Sequence, residues 1–219
     1  MIKDLIRELK LLDKYEWGSY TFNRDPIHNK VSRQEKKDMI EKANECGYHE
    51  ALLLREKYGI KSPMEYAQLL GIKVSELEDE GSKDYILFAR FNSPNNISVY
   101  MKNVRKAEEL IKNENLNMML GGVKIEDVLI AHEMFHFIED NNRDIYTRTA
   151  KILLWELGPI KYHSGLVAPG EIAAMAFARE LLKLSYYPNL FDILLLYPHN
   201  SKTAKALYDE AIAMRGDEA

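Results

Sequence analysis

The sequence has almost no cysteine, since Cys46 is the only one among 219 residues. A single cysteine cannot form an intramolecular disulfide, and it cannot hold a structural zinc ion by itself. A disulfide-stabilised secreted scaffold is therefore excluded. We expect Cys46 to be a small, partly buried residue.

Long apolar runs are also missing, because no window approaches the ~18 consecutive apolar residues of a membrane-spanning helix. The first twelve residues interleave charged and apolar side chains at helical spacing, which predicts an amphipathic helix rather than a signal peptide. We therefore expect a cytoplasmic protein that has no membrane partner.

Runs of lysine and arginine are missing as well. The 30 basic and 34 acidic side chains give a formal net charge of -4 at pH 7. The basic surface that non-specific nucleic-acid binding needs is not encoded, so we expect no direct nucleic-acid binding. The composition, 46% hydrophobic and 29% charged, is ordinary for a globular protein and excludes a wholly disordered chain.

Helical patterning dominates what the sequence does contain. Capping signals and apolar spacing predict helices over residues 1–12, 32–58, 62–70, 104–115, 124–141, 169–185 and 191–214, with breaks near Gly47 and at Pro198. The polar residues 18–30 predict a surface loop. Residues 84–92 and 96–101, separated by a turn signal, predict a β-hairpin, while residues 152–155 fit either a strand or a buried helix.

The helix predicted over residues 124–141 contains an H-E-x-x-H array formed by His132, Glu133 and His136. Two histidines four residues apart lie on one face of a helix, so both imidazoles can bind one metal ion. Glu133 is rotated ~100° from His132 and can face a water on that ion without binding the ion itself. Zinc-assisted hydrolysis needs nitrogen ligands, an open coordination position and a carboxylate base. The array therefore predicts His132 and His136 as zinc ligands and Glu133 as the catalytic base.

A catalytic zinc site generally takes a third protein ligand. The candidates in the sequence are Glu139, Asp140, His163, Glu171 and His199. Asp140 continues the face of the histidines, but a helix rises ~6 Å over four residues, so we expect Asp140 to accept a hydrogen bond from a ligand histidine instead. Glu171 lies in the first turn of a separate helix, where the small residues Ala174 and Ala178 allow close helix packing. We favour Glu171; the alternative is a solvated acid near a helix N-terminus.

Together these two helices resemble the ImmA/IrrE family of zinc metallopeptidases, which belong to the gluzincins. Residues 171–182 have the form E-x-x-A-x-x-F-A-x-x-L-L, and residues 70–74 match a family segment, L-G-I-x-V, that leads into a small antiparallel sheet. The resemblance covers about residues 62–185. It implies that His132, His136 and Glu171 bind zinc, that Glu133 is the general base, and that the substrate is a regulatory protein such as a helix-turn-helix repressor.

The chain departs from the family pattern in two places. Met134-Phe135 replaces the usual Leu-Gly, and Met175-Ala176 replaces the usual Ala-Asn. Neither change removes a residue that carries chemistry. The segment 141–169 is longer than expected and contains Tyr162 and His163; either could donate a hydrogen bond to an oxyanion, although a plain loop is the simpler interpretation.

These observations predict an α+β fold, mostly helical with a small antiparallel sheet and a zinc site between two helices. We divide it into an N-terminal helical extension, residues 1–61, and a metallopeptidase-like domain with a C-terminal helical tail, residues 62–219. The predicted function is zinc-dependent hydrolysis of a peptide bond in a protein or peptide partner, such as a transcriptional regulator.

Two other classes of function stay open. Residues 62–77 look like the start of a helix-turn-helix, but the recognition segment 74–80 contains four acids that would repel DNA phosphates: Glu76, Glu78, Asp79 and Glu80. The other alternative is a non-catalytic interaction protein that holds zinc for structure. Glu133 argues against it, because a purely structural site has no need of that carboxylate.

Overall fold

The computed structural model describes residues 2–79, 81 and 86–216. Within these residues the helices are α1 (Ile2–Leu9), α2 (Lys14–Phe22), α3 (Arg33–Tyr58), α4 (Pro63–Leu69), α5 (Met101–Asn113), α6 (Ile125–Asn141), α7 (Tyr146–Thr149), α8 (Ala168–Leu181), α9 (Leu190–Leu196) and α10 (Ser201–Ala213). The strands are β1 (Lys73–Leu77), β2 (Ala89–Asn92), β3 (Asn96–Tyr100), β4 (Lys151–Leu157) and β5 (Ile160–Gly165). The predicted α+β, mostly helical class is confirmed.

The strands form two small sheets. The first has the order β1-β3-β2, in which β2 runs antiparallel to β3 and β1 runs parallel to it. The second is the antiparallel hairpin β4–β5. Strand β1 occupies residues that a helix-turn-helix would need as a recognition helix, so that interpretation is wrong for residues 73–77. Glu80, also part of that segment, lies outside the described residues.

Three helices begin where the sequence supplies a reciprocal cap. In each, the side chain of the capping residue accepts a backbone N–H three residues on, and a glutamate at that position accepts the N–H of the cap. The pairs are Asp13 with Glu16, Ser32 with Glu35, and Ser62 with Glu65. The helix predicted from Ser62 is thereby confirmed.

The predicted loop over residues 18–30 is wrong in its first part. Helix α2 continues to Phe22 because its aromatic side chains Trp17, Tyr20 and Phe22 are buried in the core. The polar residues that suggested a loop, from Asn23 onward, follow the helix and include a short 3-10 turn at His28–Lys30.

Helix α3 shows no break at Gly47. A Cβ placed there would lie 2.0 Å from the backbone oxygen of Ala173 in α8. The glycine therefore marks a close approach of two helices, and the predicted interruption is wrong.

Other local predictions have mixed outcomes. The ambiguous residues 152–155 belong to strand β4, and the C-terminal tail is helical with a break between α9 and α10. The strand predicted to start at residue 84 is seen only as β2, Ala89–Asn92; residues 84 and 85 lie outside the described residues.

One hydrophobic cluster joins side chains from α1 to α10. Helix α8 lies within it, packing against α3 on one side and α6 on another, where Phe135 and Phe177 have ring centroids 5.8 Å apart. Residues before position 61 contribute to the same cluster, among them Ile40 and Ala51. The domain boundary after residue 61 stays a prediction. Among the described residues, no helix has both the length and the apolar character needed to cross a membrane.

Candidate metal centre

Helices α6 and α8 bring His132, His136 and Glu171 together, as predicted. The Nε2 atoms of the two histidines are 3.2 Å apart. Glu171 places Oε2 3.4 Å from His132 Nε2 and Oε1 3.6 Å from His136 Nε2. These three side chains could hold a metal ion, because their donor atoms all lie within 4.8 Å of one another.

Ligand atoms about 2.1 Å from a tetrahedral zinc stand roughly 3.4 Å from one another, which follows from the tetrahedral angle. The two histidine nitrogens, 3.2 Å apart, and the pair His132 Nε2 and Glu171 Oε2, 3.4 Å apart, lie close to that value. The 3.6 Å contact of His136 Nε2 is with the other carboxylate oxygen, Oε1. With three protein ligands, a fourth coordination position stays open.

His132 and Glu171 influence each other's charge. Burial lowers the pKa of His132, but the hydrogen bond and charge of Glu171 outweigh burial and raise it above its ordinary value. Burial raises the pKa of Glu171, but the hydrogen bond and charge of His132 hold it below its ordinary value. Without an ion the pair thus retains a proton on the imidazole, and metal binding must displace that proton because only neutral imidazole is a ligand.

Glu139, not Asp140, supports a ligand histidine. His136 directs Nε2 at Glu171, so its Nδ1 faces Glu139 Oε2 at 3.4 Å. Burial raises the pKa of Glu139, but the hydrogen bonds with His136 and Thr147 and the charge of His136 together outweigh burial and hold the pKa below its ordinary value. The carboxylate lies against α8, where a Cβ on Gly170 would be 3.0 Å from Oε1.

The role expected for Asp140 is therefore wrong. Its exposed carboxylate turns toward the sheet, where Oδ2 accepts a hydrogen bond from Ser93 Oγ at 2.8 Å. Its other oxygen lies 3.5 Å from a guanidinium nitrogen of Arg148. Neither contact involves a histidine.

The general-base candidate, Glu133, lies beside the donor set without belonging to it. Its Oε2 accepts the backbone N–H of Phe91 at 2.6 Å. Phe88 on the same segment offers its carbonyl oxygen to the Tyr100 N–H of β3, so the alternation of a strand turns Phe91 N–H to the opposite edge. Strand β2 thus fixes the orientation of the Glu133 carboxylate.

Asp25 supports the site indirectly, and the sequence did not indicate this role. Its buried carboxylate accepts the backbone N–H groups of Val167 and Ala168 at 2.7 and 3.0 Å. These groups lie at the start of α8 and have no partners inside that helix, so Asp25 satisfies donors and complements the helix dipole. It thereby anchors the turn that carries Glu171.

A cavity of about 690 Å³ opens over the three candidate metal ligands. Its walls are residues 89–91 of β2, one face of α6, Glu171 of α8, and residues at the two ends of the β4–β5 hairpin: Thr147 and Arg148 before β4, and Gly165 and Leu166 at the end of β5. The cavity is large enough for several residues of an extended chain, and its walls expose both backbone and charged groups.

The remaining histidine candidates lie elsewhere among the described residues. His163 is in strand β5 opposite Leu153, and the neighbouring Tyr162 stacks on Trp155; neither is part of the cavity wall. The plain loop expected here is wrong, because both residues belong to a strand. His199 Nε2 is 3.3 Å from the carbonyl oxygen of Asn103.

No family model, no curated protein and no solved structure matches this chain. The site is therefore interpreted from its own geometry.

Proposed function

We propose that the protein is a zinc-dependent peptidase. The observation that carries this proposal is the set of nitrogen and oxygen donors from His132, His136 and Glu171, which lie within 4.8 Å of one another with the Glu133 carboxylate held beside them. A zinc ion in such a ligand set acts as a Lewis acid and lowers the pKa of a bound water to about 7.

Each side chain then has a distinct part. His132 and His136 offer neutral nitrogens from one face of α6, and Glu171 supplies the carboxylate from α8. Glu133 accepts the proton of the attacking water and later delivers it to the leaving amine. The Phe91 N–H holds this base in one orientation, and Glu139 fixes the ring of His136.

Strand β2 favours a polypeptide as the substrate. It is an edge strand of the β1-β3-β2 sheet, and it lines the cavity. An extended peptide can pair with an exposed sheet edge through main-chain hydrogen bonds, which needs no particular side chains. Because Glu133 already accepts the N–H of Phe91, such pairing uses the other backbone groups of this edge. The edge lies next to Glu133, so a peptide bond docked there comes within reach of the base.

The resemblance to the ImmA/IrrE metallopeptidases supports the same proposal from the sequence. In that family the substrate is often a transcriptional regulator, so a regulator encoded next to this chain is the first protein to assay. Binding of DNA by this chain is disfavoured by its net charge of -4. A purely structural zinc site is disfavoured by Glu133, which does not belong to the donor set.

Replacing Glu133 by glutamine tests the function. Glu133→Gln keeps the size of the side chain but removes the base, so zinc should stay at about one per chain while hydrolysis falls on the order of a hundred- to ten-thousand-fold. The measurements are elemental analysis and cleavage of the neighbouring regulator or of labelled casein, followed by intact mass.

His136→Ala is the comparison variant, since it should lose zinc and activity together. Equal cleavage by Glu133→Gln and the parent would overturn the proposed mechanism. Absence of zinc from the parent after supplementation would overturn the metal assignment.

A further inference from the structure

The β4–β5 hairpin has one face with four large apolar side chains, whereas the other carries Glu156, Lys161 and His163 together with Leu153. Its register pairs Trp155 with Tyr162 and Leu157 with Ile160, and a bulge between Leu153 and Trp155 shifts the alternation of β4 by one residue. Because opposite residues point to the same side, these four side chains share one face with Ile152 at the base. The bulge places Trp155 and Leu157 on the same face as Ile152.

This apolar face is open to solvent. Trp155 and Tyr162 are 50% and 51% exposed, and their rings stack with centroids 5.6 Å apart. Leu157 and Ile160 are 72% and 58% exposed. Exposed apolar surface of this extent marks an interaction site, and a lone two-stranded hairpin is marginally stable without a partner.

Both ends of the hairpin are rooted in the wall of the cavity over the metal-binding side chains. Arg148 lines the cavity just before β4 begins, and Gly165 lines it where β5 ends. With six residues in β5, the hairpin extends roughly 20 Å from that wall at the usual strand rise. A chain leaving the cavity on this side would pass along it.

We propose that the apolar face of the hairpin docks the polypeptide substrate, binding a stretch with large apolar side chains within about six residues of the bond in the cavity. The inference rests on the proposed peptidase function, because it takes the occupant of the cavity to be a polypeptide. We choose a polypeptide substrate as the occupant because the hairpin continues directly from the cavity wall, so a chain bound in the cavity passes along its apolar face.

The charges on the hairpin do not favour a lipid surface. A membrane-docking hairpin needs unpaired basic side chains around its apolar face. Here Lys161 forms an ion pair with Glu156 at 3.2 Å on the opposite face, which leaves Lys151 as the remaining lysine of the two strands, and neither strand contains arginine.

The test measures binding without cleavage. In zinc-loaded Glu133→Gln protein, fluorescein-labelled casein is titrated by fluorescence anisotropy, with and without the paired change Trp155→Ser and Tyr162→Ser. Loss of two aromatic anchors should weaken binding at least tenfold, or about 1.4 kcal/mol. Leu157→Lys, at the most exposed of the four positions, should weaken it as well.

The paired change Glu156→Gln and Lys161→Gln is the matched control, since it alters the polar face of the same hairpin and should leave binding unchanged. Thermal unfolding verifies that all variants keep the fold. We expect them to do so because the substituted side chains are exposed. Equal weakening by the control and the aromatic pair would overturn the proposal.

Other occupants give different results. If light scattering shows a dimer that the aromatic pair converts to a monomer, the face binds a second copy and the proposal is wrong. If vesicles of phosphatidylcholine and phosphatidylglycerol sediment the parent but not the aromatic pair, the face binds lipid and the proposal is again wrong. Casein that does not bind the Glu133→Gln protein also overturns it.

Failure of the peptidase function is a separate outcome. If Glu133-containing protein binds casein through the hairpin but never cleaves it or the neighbouring regulator, the peptidase proposal is wrong, while docking of a polypeptide on the hairpin is supported.

Discussion

At the scale of single residues, three carboxylates near the end of α6 differ in what they contact. Glu171 faces both histidines, Glu139 faces the back of His136, and Asp140 faces Ser93 and Arg148. Only the first can donate directly to an ion. Their order of importance for metal affinity follows from these contacts.

We expect Glu171→Ala to lower zinc affinity most, because it removes a ligand. Glu139→Ala should lower it by about ten- to a hundredfold, since it frees the ring of His136. Asp140→Ala should change it little. Competition with a chromophoric chelator measures all three affinities, and a larger loss for Asp140→Ala than for Glu139→Ala would contradict the contacts described above.

Helix periodicity explains how much of this site could be predicted. The positions of His132 and His136 depend only on spacing within one helix. Glu171 was favoured because Ala174 and Ala178 allow its helix to pack closely, and because of the family resemblance. The choice between Glu139 and Asp140 depends on which ring nitrogen faces the ion, which spacing does not determine. Asp25 could not be predicted, because the helix start that it caps lies 142 residues away.

At the scale of elements, the packing of α3 on α8 depends on a missing side chain. A Cβ at Gly47 would meet backbone atoms of Ala173 and Phe177 at 2.0 to 2.9 Å. Backbone atoms cannot relieve such a clash by changing rotamer, as a flexible side chain can, so the two helices would have to separate. Ala173 is two positions from Glu171, and the same displacement would reach the metal ligand.

We therefore expect Gly47→Ala to lower the free energy of unfolding by about 1–3 kcal/mol, the usual effect of overpacking. The sign of this change in the free energy of unfolding is informative, because alanine in a helix is ordinarily favoured over glycine by about 1 kcal/mol. Urea unfolding measures the change, and Lys42→Ala at an exposed position of the same helix serves as the control. A stabilised Gly47→Ala protein would show that the helices do not touch there.

The elements differ in how far sequence could define them. Starts with reciprocal caps, as at Ser62, were predictable because the signal lies within four residues. The continuity of α3 and the parallel pairing of β1 were not, because Gly47 and Val74 act through partners distant in sequence, Ala173 and Ile97. Local chemistry identifies where a helix begins, whereas tertiary contacts decide whether a glycine interrupts it.

At the scale of the whole molecule, the three candidate metal ligands connect α6 with α8 at the floor of the cavity. An ion that binds only the folded chain stabilises it by an amount that grows with the logarithm of its free concentration. At a thousandfold excess over the dissociation constant the gain is about 4 kcal/mol. For a chain of this size that is roughly 8–16 °C in Tm.

We expect zinc to raise the Tm of the parent by that amount, and calorimetry of chelator-treated protein before and after zinc addition measures it. His136→Ala should show little of the rise, because it lacks one of the donors. A similar rise in both proteins would mean that zinc acts at another place.

The cap that Asp25 places on α8 has a kinetic consequence. It joins positions 142 residues apart, and contacts of such separation form only after much chain entropy has been lost. The turn bearing Glu171 therefore gains its anchor after the N-terminal helices have docked, so the site assembles late in folding. A chain emerging from the ribosome holds the H-E-x-x-H half of the site before the other half has been made.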